Sequence, residues 1–111
     1  MTNQERLLEE YRDPIKLVKY TKRISELGDS IVDWDKWFKS DDPFPIWKGE
    51  KGIYSDHCSE KTICYITEEI KRFNIDYVRI IIPSDKDFFD PDFSVQRLTV
   101  PAIYVERIEN A

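Results

Sequence analysis

The stretch KTICYITEEIKRFNIDYVRIIIP, Lys61 to Pro83, decides how the rest of the chain is read. Ile63, Ile66, Ile70 and Phe73 recur at i, i+3, i+7 and i+10, the spacing of one helical face. Thr62 to Thr67 is rich in strand formers and pulls the other way. The period and the following Glu68-Glu69-Ile70-Lys71-Arg72 favour a helix over 61–73, with Asn74 as its left-handed cap. Ile75 to Ile82 is β-branched and aromatic, so it predicts a strand, which Pro83 ends. Ser84 to Phe93, SDKDFFDPDF, follows as a loop that mixes acids with aromatics.

On the N-terminal side, Thr2 and Glu5 have capping-box spacing, which predicts a short helix through about Tyr11. Asp13-Pro14 reads as a cap followed by proline at the first helical position. Leu17, Tyr20, Ile24 and Leu27 share a face of a second helix, and Gly28 stops it. A third helix is predicted from Ser30 to Lys39, with Ile31, Trp34, Trp37 and Phe38 on one side. Ile46–Lys48 and Ile53-Tyr54 flank Gly49–Gly52 as a small hairpin or an ordered loop. Ser94–Val100 and Ala102–Ile108 read as strands, with Pro101 as a turn or bulge between them. Helices first and strands after predict an α+β fold: one domain, 1–111, with N-terminal helices packed on a largely antiparallel sheet of three to five strands. Leu17, Ile24, Leu27, Ile66, Ile70, Val78 and Ile80 are its expected core.

A chain of 111 residues, 41% hydrophobic and 35% charged, suits a globular domain. No apolar run approaches the roughly 20 residues of a membrane helix, and the first residues lack a signal core, so the expectation is a cytoplasmic protein with no membrane partner. Cys58 and Cys64 read as free thiols. The net charge is −5. Asp29–Asp42 carries −3 and Ser84–Phe93 another −3, so the remainder is slightly positive. Negative patches argue against binding a phosphate backbone and for a basic partner or a cation.

Catalytic signals are thin. His57 and Cys58 could be read as base and nucleophile, but sequence neighbours rarely face one another, and an exposed turn explains them better. One histidine and two cysteines do not make a zinc site. Asp85 to Asp92 alternates oxygen ligands but lacks the glycine and terminal glutamate of a helix–loop–helix calcium loop. The expectation is therefore no enzyme, no metal and no cofactor. A small-molecule or cation site, or a weak hydrolase using His57 and a carboxylate, is the alternative. What stands out is aromatics among acids: Trp34, Trp37, Phe38 and Phe44 in one segment, Phe88, Phe89 and Phe93 in the other. Large aromatics anchor interfaces, and charge steers partners to them. Asp85, Asp87, Phe88, Phe89, Asp90 and Asp92, joined by Asp41 and Asp42, are the candidate partner-binding residues; packing of the 84–93 loop into the core competes with that role.

In this general character, a small acidic domain with clustered carboxylates and aromatics, the chain resembles bacterial immunity proteins of the colicin and contact-dependent-inhibition type. No motif carries the resemblance. It implies an antitoxin that neutralises a basic nuclease toxin by covering its active site or substrate surface, with no nucleic acid of its own.

Overall fold

The computed structural model describes residues 1–56 and 60–108. The fold class is α+β, with three helices and a five-stranded antiparallel sheet among those residues. The chain divides into two compact units, Met1–Lys48 with Lys86–Phe93, and Gly49–Asp85 with Ser94–Ala111.

The first unit holds the helices. In α1 (Asn3–Glu10) the Thr2 hydroxyl accepts from Glu5 N at 3.3 Å, as the capping-box spacing requires. In α2 (Pro14–Leu27) Asp13 Oδ1 accepts from Ile15 N at 2.9 Å, and Gly28 ends the helix at φ 75°. That conformation suits glycine because it has no Cβ. The third helix, α3 (Trp34–Lys39), is shorter than its apolar pattern predicts. Ile31 and Val32 are instead extended: Val32 bridges Trp47, and Lys48 N donates to Ile31 O at 2.8 Å. Tyr20, Leu27, Trp34 and Trp37 are buried, whereas Leu17 is 40% exposed and leaves the expected core. Ile24 is half-buried.

The second unit is the sheet: β1 (Glu50–Tyr54), β2 (Thr62–Arg72), β3 (Ile75–Pro83), β4 (Val95–Pro101) and β5 (Val105–Arg107), in the order β4-β3-β2-β1-β5. Neither the small hairpin nor the ordered loop expected around Gly49–Gly52 forms; residues 50–54 instead pair with β2 and β5. The largest correction is at 61–73, where a strand replaces the helix. Cys64 and Ile66 are buried on one face with Val78, Ile80 and Val100. A register shift between Ile66 and Glu68 then puts Glu69 opposite Val78 and Ile70 opposite Tyr77. An extra residue at Thr67 thus changes the phase of the alternation. Ile63, Ile66, Ile70 and Phe73 mimic a helical period but do not share a face. Asn74 is left-handed as expected (φ 63°), yet in a two-residue hairpin turn with Phe73 rather than at a helix end.

The connection from β4 to β5 is only Ala102–Tyr104, a single 3-10 turn. In a flat sheet those two margins would lie about 19 Å apart, four strand spacings. Four Cα steps reach about 15 Å at most. The sheet must therefore coil, drawing its margins together around an inner face of Cys64, Ile66, Val78, Ile80 and Val100, flanked by Tyr54, Ile82, Leu98 and Val105. Gly52 lies on this face, and a Cβ there would meet Val105 Cγ1 at 3.0 Å.

Candidate acidic surface

Within the first unit, two segments distant in sequence are tied together. Phe88 N donates to Pro43 O at 3.0 Å. Asn3, a buried polar residue, donates from Nδ2 to Trp37 O at 2.9 Å and to Asp42 O at 2.8 Å. The segment after α3 is thereby held against α1 on one side and against the 86–93 loop on the other. Asp41, Asp42, Asp87, Asp90 and Asp92 consequently belong to one compact unit. Asp85 belongs to the other unit and is exposed there.

Phe88 and Phe89 do not join them at the surface. Phe88 is fully buried, with ring centroids at 4.8 Å from Trp37, 5.7 Å from Tyr20 and 5.9 Å from Trp34. Phe89 is buried against Tyr20 and Trp37, and the Arg6 guanidinium lies 4.0 Å from its ring centroid. Two adjacent phenylalanines are present because the loop folds inward and supplies core. Their assignment as contact residues is corrected on that ground.

The aspartates divide by role. Asp87 Oδ1 accepts from Phe89 N at 2.9 Å, Asp90 Oδ1 from Asp92 N at 2.8 Å, and Asp42 Oδ1 from Phe44 N at 3.0 Å. These are turns closed by a side chain, a habit of Asp that needs no partner to explain it. Asp33 caps α3. Asp41 and Asp92 are exposed and close no such turn among the described residues. None of the six candidate aspartates forms an ion pair with a described Lys or Arg. Arg23 is engaged elsewhere, donating to Phe88 O and, at 3.4 Å, to Pro91 O. Arg23 and Arg6 thus hold the loop's backbone and rings, and neither is paired with its carboxylates. Phe44, 48% exposed between Pro43 and Pro45, is the exposed one among the aromatics of the two acidic segments. Nothing in the sequence ranks it above Phe88; only the burial of the loop does.

The alternative chemistry turns on His57 and a carboxylate. His57 and Cys58 lie outside the described residues. Burial pushes the Cys64 thiol above its ordinary pKa, opposite to what activates a nucleophile. No group of three metal-ligating side chains converges among the described residues. In the sheet unit, a hollow of about 280 Å³ is bordered by Glu69, Lys71, Asp76 and Arg107. Arg107 is already held there by Glu69 and, at 2.6 Å, by Glu50. No described helix is long and apolar enough to cross a membrane. Comparison with protein families, curated proteins and solved structures finds no match to the chain.

Proposed function

We propose that the protein binds and neutralises a basic protein, as an immunity protein does with a cognate nuclease toxin, through the acidic surface of its helical unit. The observation that carries this reading is the Phe88 N to Pro43 O bond at 3.0 Å, which ties two acidic segments into one unit. Asp41, Asp42 and Asp92 are exposed on it. Phe44 supplies an apolar anchor beside them. Uncompensated carboxylates attract a basic surface and speed the encounter, and an aromatic at the centre of the contact slows departure. A nuclease must be basic to hold its substrate, so an acidic plug competes for the same surface.

The test is capture of partners from the native cell, followed by binding kinetics of the purified pair at two salt concentrations. Asp41→Asn/Asp42→Asn/Asp92→Asn is expected to slow association about tenfold and to flatten its salt dependence. Phe44→Ala is expected to speed dissociation by tenfold or more. Parent-like kinetics for both variants would remove this surface from consideration. A captured partner with no basic face would remove the nuclease reading.

A further inference from the structure

Two of the most exposed large hydrophobic residues stand at one end of the sheet unit. Phe73, in the β2–β3 turn, is 96% exposed, and Ile103, just after β4, is 87% exposed. Both lie past the same end of the β3–β4 ladder. Tyr77 pairs with Pro101, so Ile75 and Ile103 each lie two residues beyond the last paired position of β3 with β4. Ile75 is itself half exposed. The pairs Lys71–Asp76 and Arg72–Ile75 lie beyond the last β1–β2 pair, Glu50–Ile66, and beyond the last β3–β4 pair. Lys71 and Asp76 still border the hollow shared with Ala102 and Arg107, so the hairpin tip projects about 7 Å past its neighbours, counting one residue pair and the turn at about 3.4 Å each.

The tip is also strained. Phe73 and Asn74 both have positive φ, 53° and 63°. A two-residue hairpin turn with both φ positive favours Asn-Gly or Asp-Gly, and a bulky residue in its first position is an outlier. Burial cannot explain a phenylalanine that is almost wholly exposed. An outlier of this kind is retained where the side chain has a task.

We propose that this end of the sheet unit is a peripheral contact for the interfacial zone of an anionic bilayer, with Phe73 and Ile103 entering the headgroup–acyl boundary and Lys71 and Arg72 meeting lipid phosphates. The inference is independent of the acidic surface and goes beyond it. Interfacial segments bury apolar side chains about 5–10 Å deep, which the projecting tip can reach. Lys71 and Arg72 outnumber Asp76 within 71–76 in a chain of net charge −5. Glu68 is neutralised by Arg79 at 3.0 Å and Glu69 by Arg107, so the acids at the base of the tip are occupied. A protein partner fits less well: a stable interface takes roughly 800 Å² from each side, and this end is a narrow convex ribbon.

The experiment is co-sedimentation of the intact protein with vesicles of phosphatidylcholine alone and of phosphatidylcholine doped with phosphatidylglycerol. The parent should bind the doped vesicles more strongly. Phe73→Ser and Ile103→Ser should each lower that partitioning about tenfold. Lys71→Gln/Arg72→Gln should lower it roughly fivefold per charge on doped vesicles and leave the neutral ones unchanged. Phe73→Asn, which accepts the left-handed turn readily, separates folding from contact: it should melt no lower than the parent and still lose binding. Absence of binding to doped vesicles at millimolar lipid overturns the proposal, as does a Phe73→Ser variant that binds like the parent. A soluble protein complex that requires Phe73 while vesicles stay free would reassign this end to a protein contact.

Discussion

Replacing Phe88 by Ala tests whether the acidic loop is anchored from within. The ring is fully buried and lies within 6 Å, centroid to centroid, of Tyr20, Trp34, Trp37, Phe89 and Phe93. Truncating a buried phenylalanine costs about 3–5 kcal/mol, the transfer of the ring plus the cavity it leaves. Each edge-to-face or tilted pair adds roughly 0.5–1.5 kcal/mol beyond area, though five pairs sharing one ring do not sum. A loss near 4 kcal/mol is expected, a large part of the 5–15 kcal/mol that holds a typical domain. Urea denaturation followed by tryptophan emission measures it, because Trp34 and Trp37 border the site. A loss below about 1.5 kcal/mol would mean that the ring is not packed there, and its role as a partner contact would be restored. With the expected loss, any fall in affinity of Phe88→Ala must be corrected for the unfolded fraction before it says anything about binding.

Two further outcomes follow from the same geometry. A Cβ at Gly49 would stand 2.5 Å from the backbone oxygen of Ile66, so Gly49→Ala should cost about 1–3 kcal/mol by displacing β2, read from the same urea curves. Burial, and secondarily the charge of Glu10, raises the pKa of Tyr20 above its ordinary value near 10; burial raises that of Tyr65 too. Both are neutral in the fold. Their contribution is complete below pH 10 and is lost as pH rises through the raised values. Melting temperature should thus be flat from neutral pH to about 8, begin to fall as the Cys64 thiol, also raised by burial, ionises in the unfolded chain, and fall further above about 10, less steeply there in Tyr20→Phe.

Local signals carried the helices well. Thr2, Asp13 and Gly28 act through their immediate neighbours, and each appears where its chemistry requires. The sheet residues 75–82 and 95–100 were equally legible, because β-branched runs bounded by proline have few other solutions. The failure at 61–73 has one physical source. A bulge at Thr67 breaks the two-residue alternation, and a broken alternation of isoleucines is indistinguishable on paper from a helical face. Ile31 and Val32 read as part of α3 for a similar reason, since the bridge from Val32 to Trp47 is a contact between segments that no local pattern announces. At the acidic surface the charge was visible, but the division of labour was not. Whether an Asp closes a turn, as Asp87 and Asp90 do, or faces outward, as Asp92 does, depends on where the backbone bends.

The route of the chain limits how the protein can be dissected. The loop 86–93 leaves β3 and returns to β4 through a neck where Ser84 N meets Ser94 O at 2.9 Å and Ser94 N meets Ser84 Oγ at 3.2 Å. Between those two serines it delivers the central ring of the helical core. A fragment ending at Lys48 would keep all three helices and lack Phe88 and Phe89, leaving a hole between Tyr20, Trp34 and Trp37. Limited proteolysis at the exposed Lys86 would leave every helix and strand intact yet cut one of the two tethers of that ring. A peptide spanning 84–94 becomes a natural reagent for restoring the truncated half.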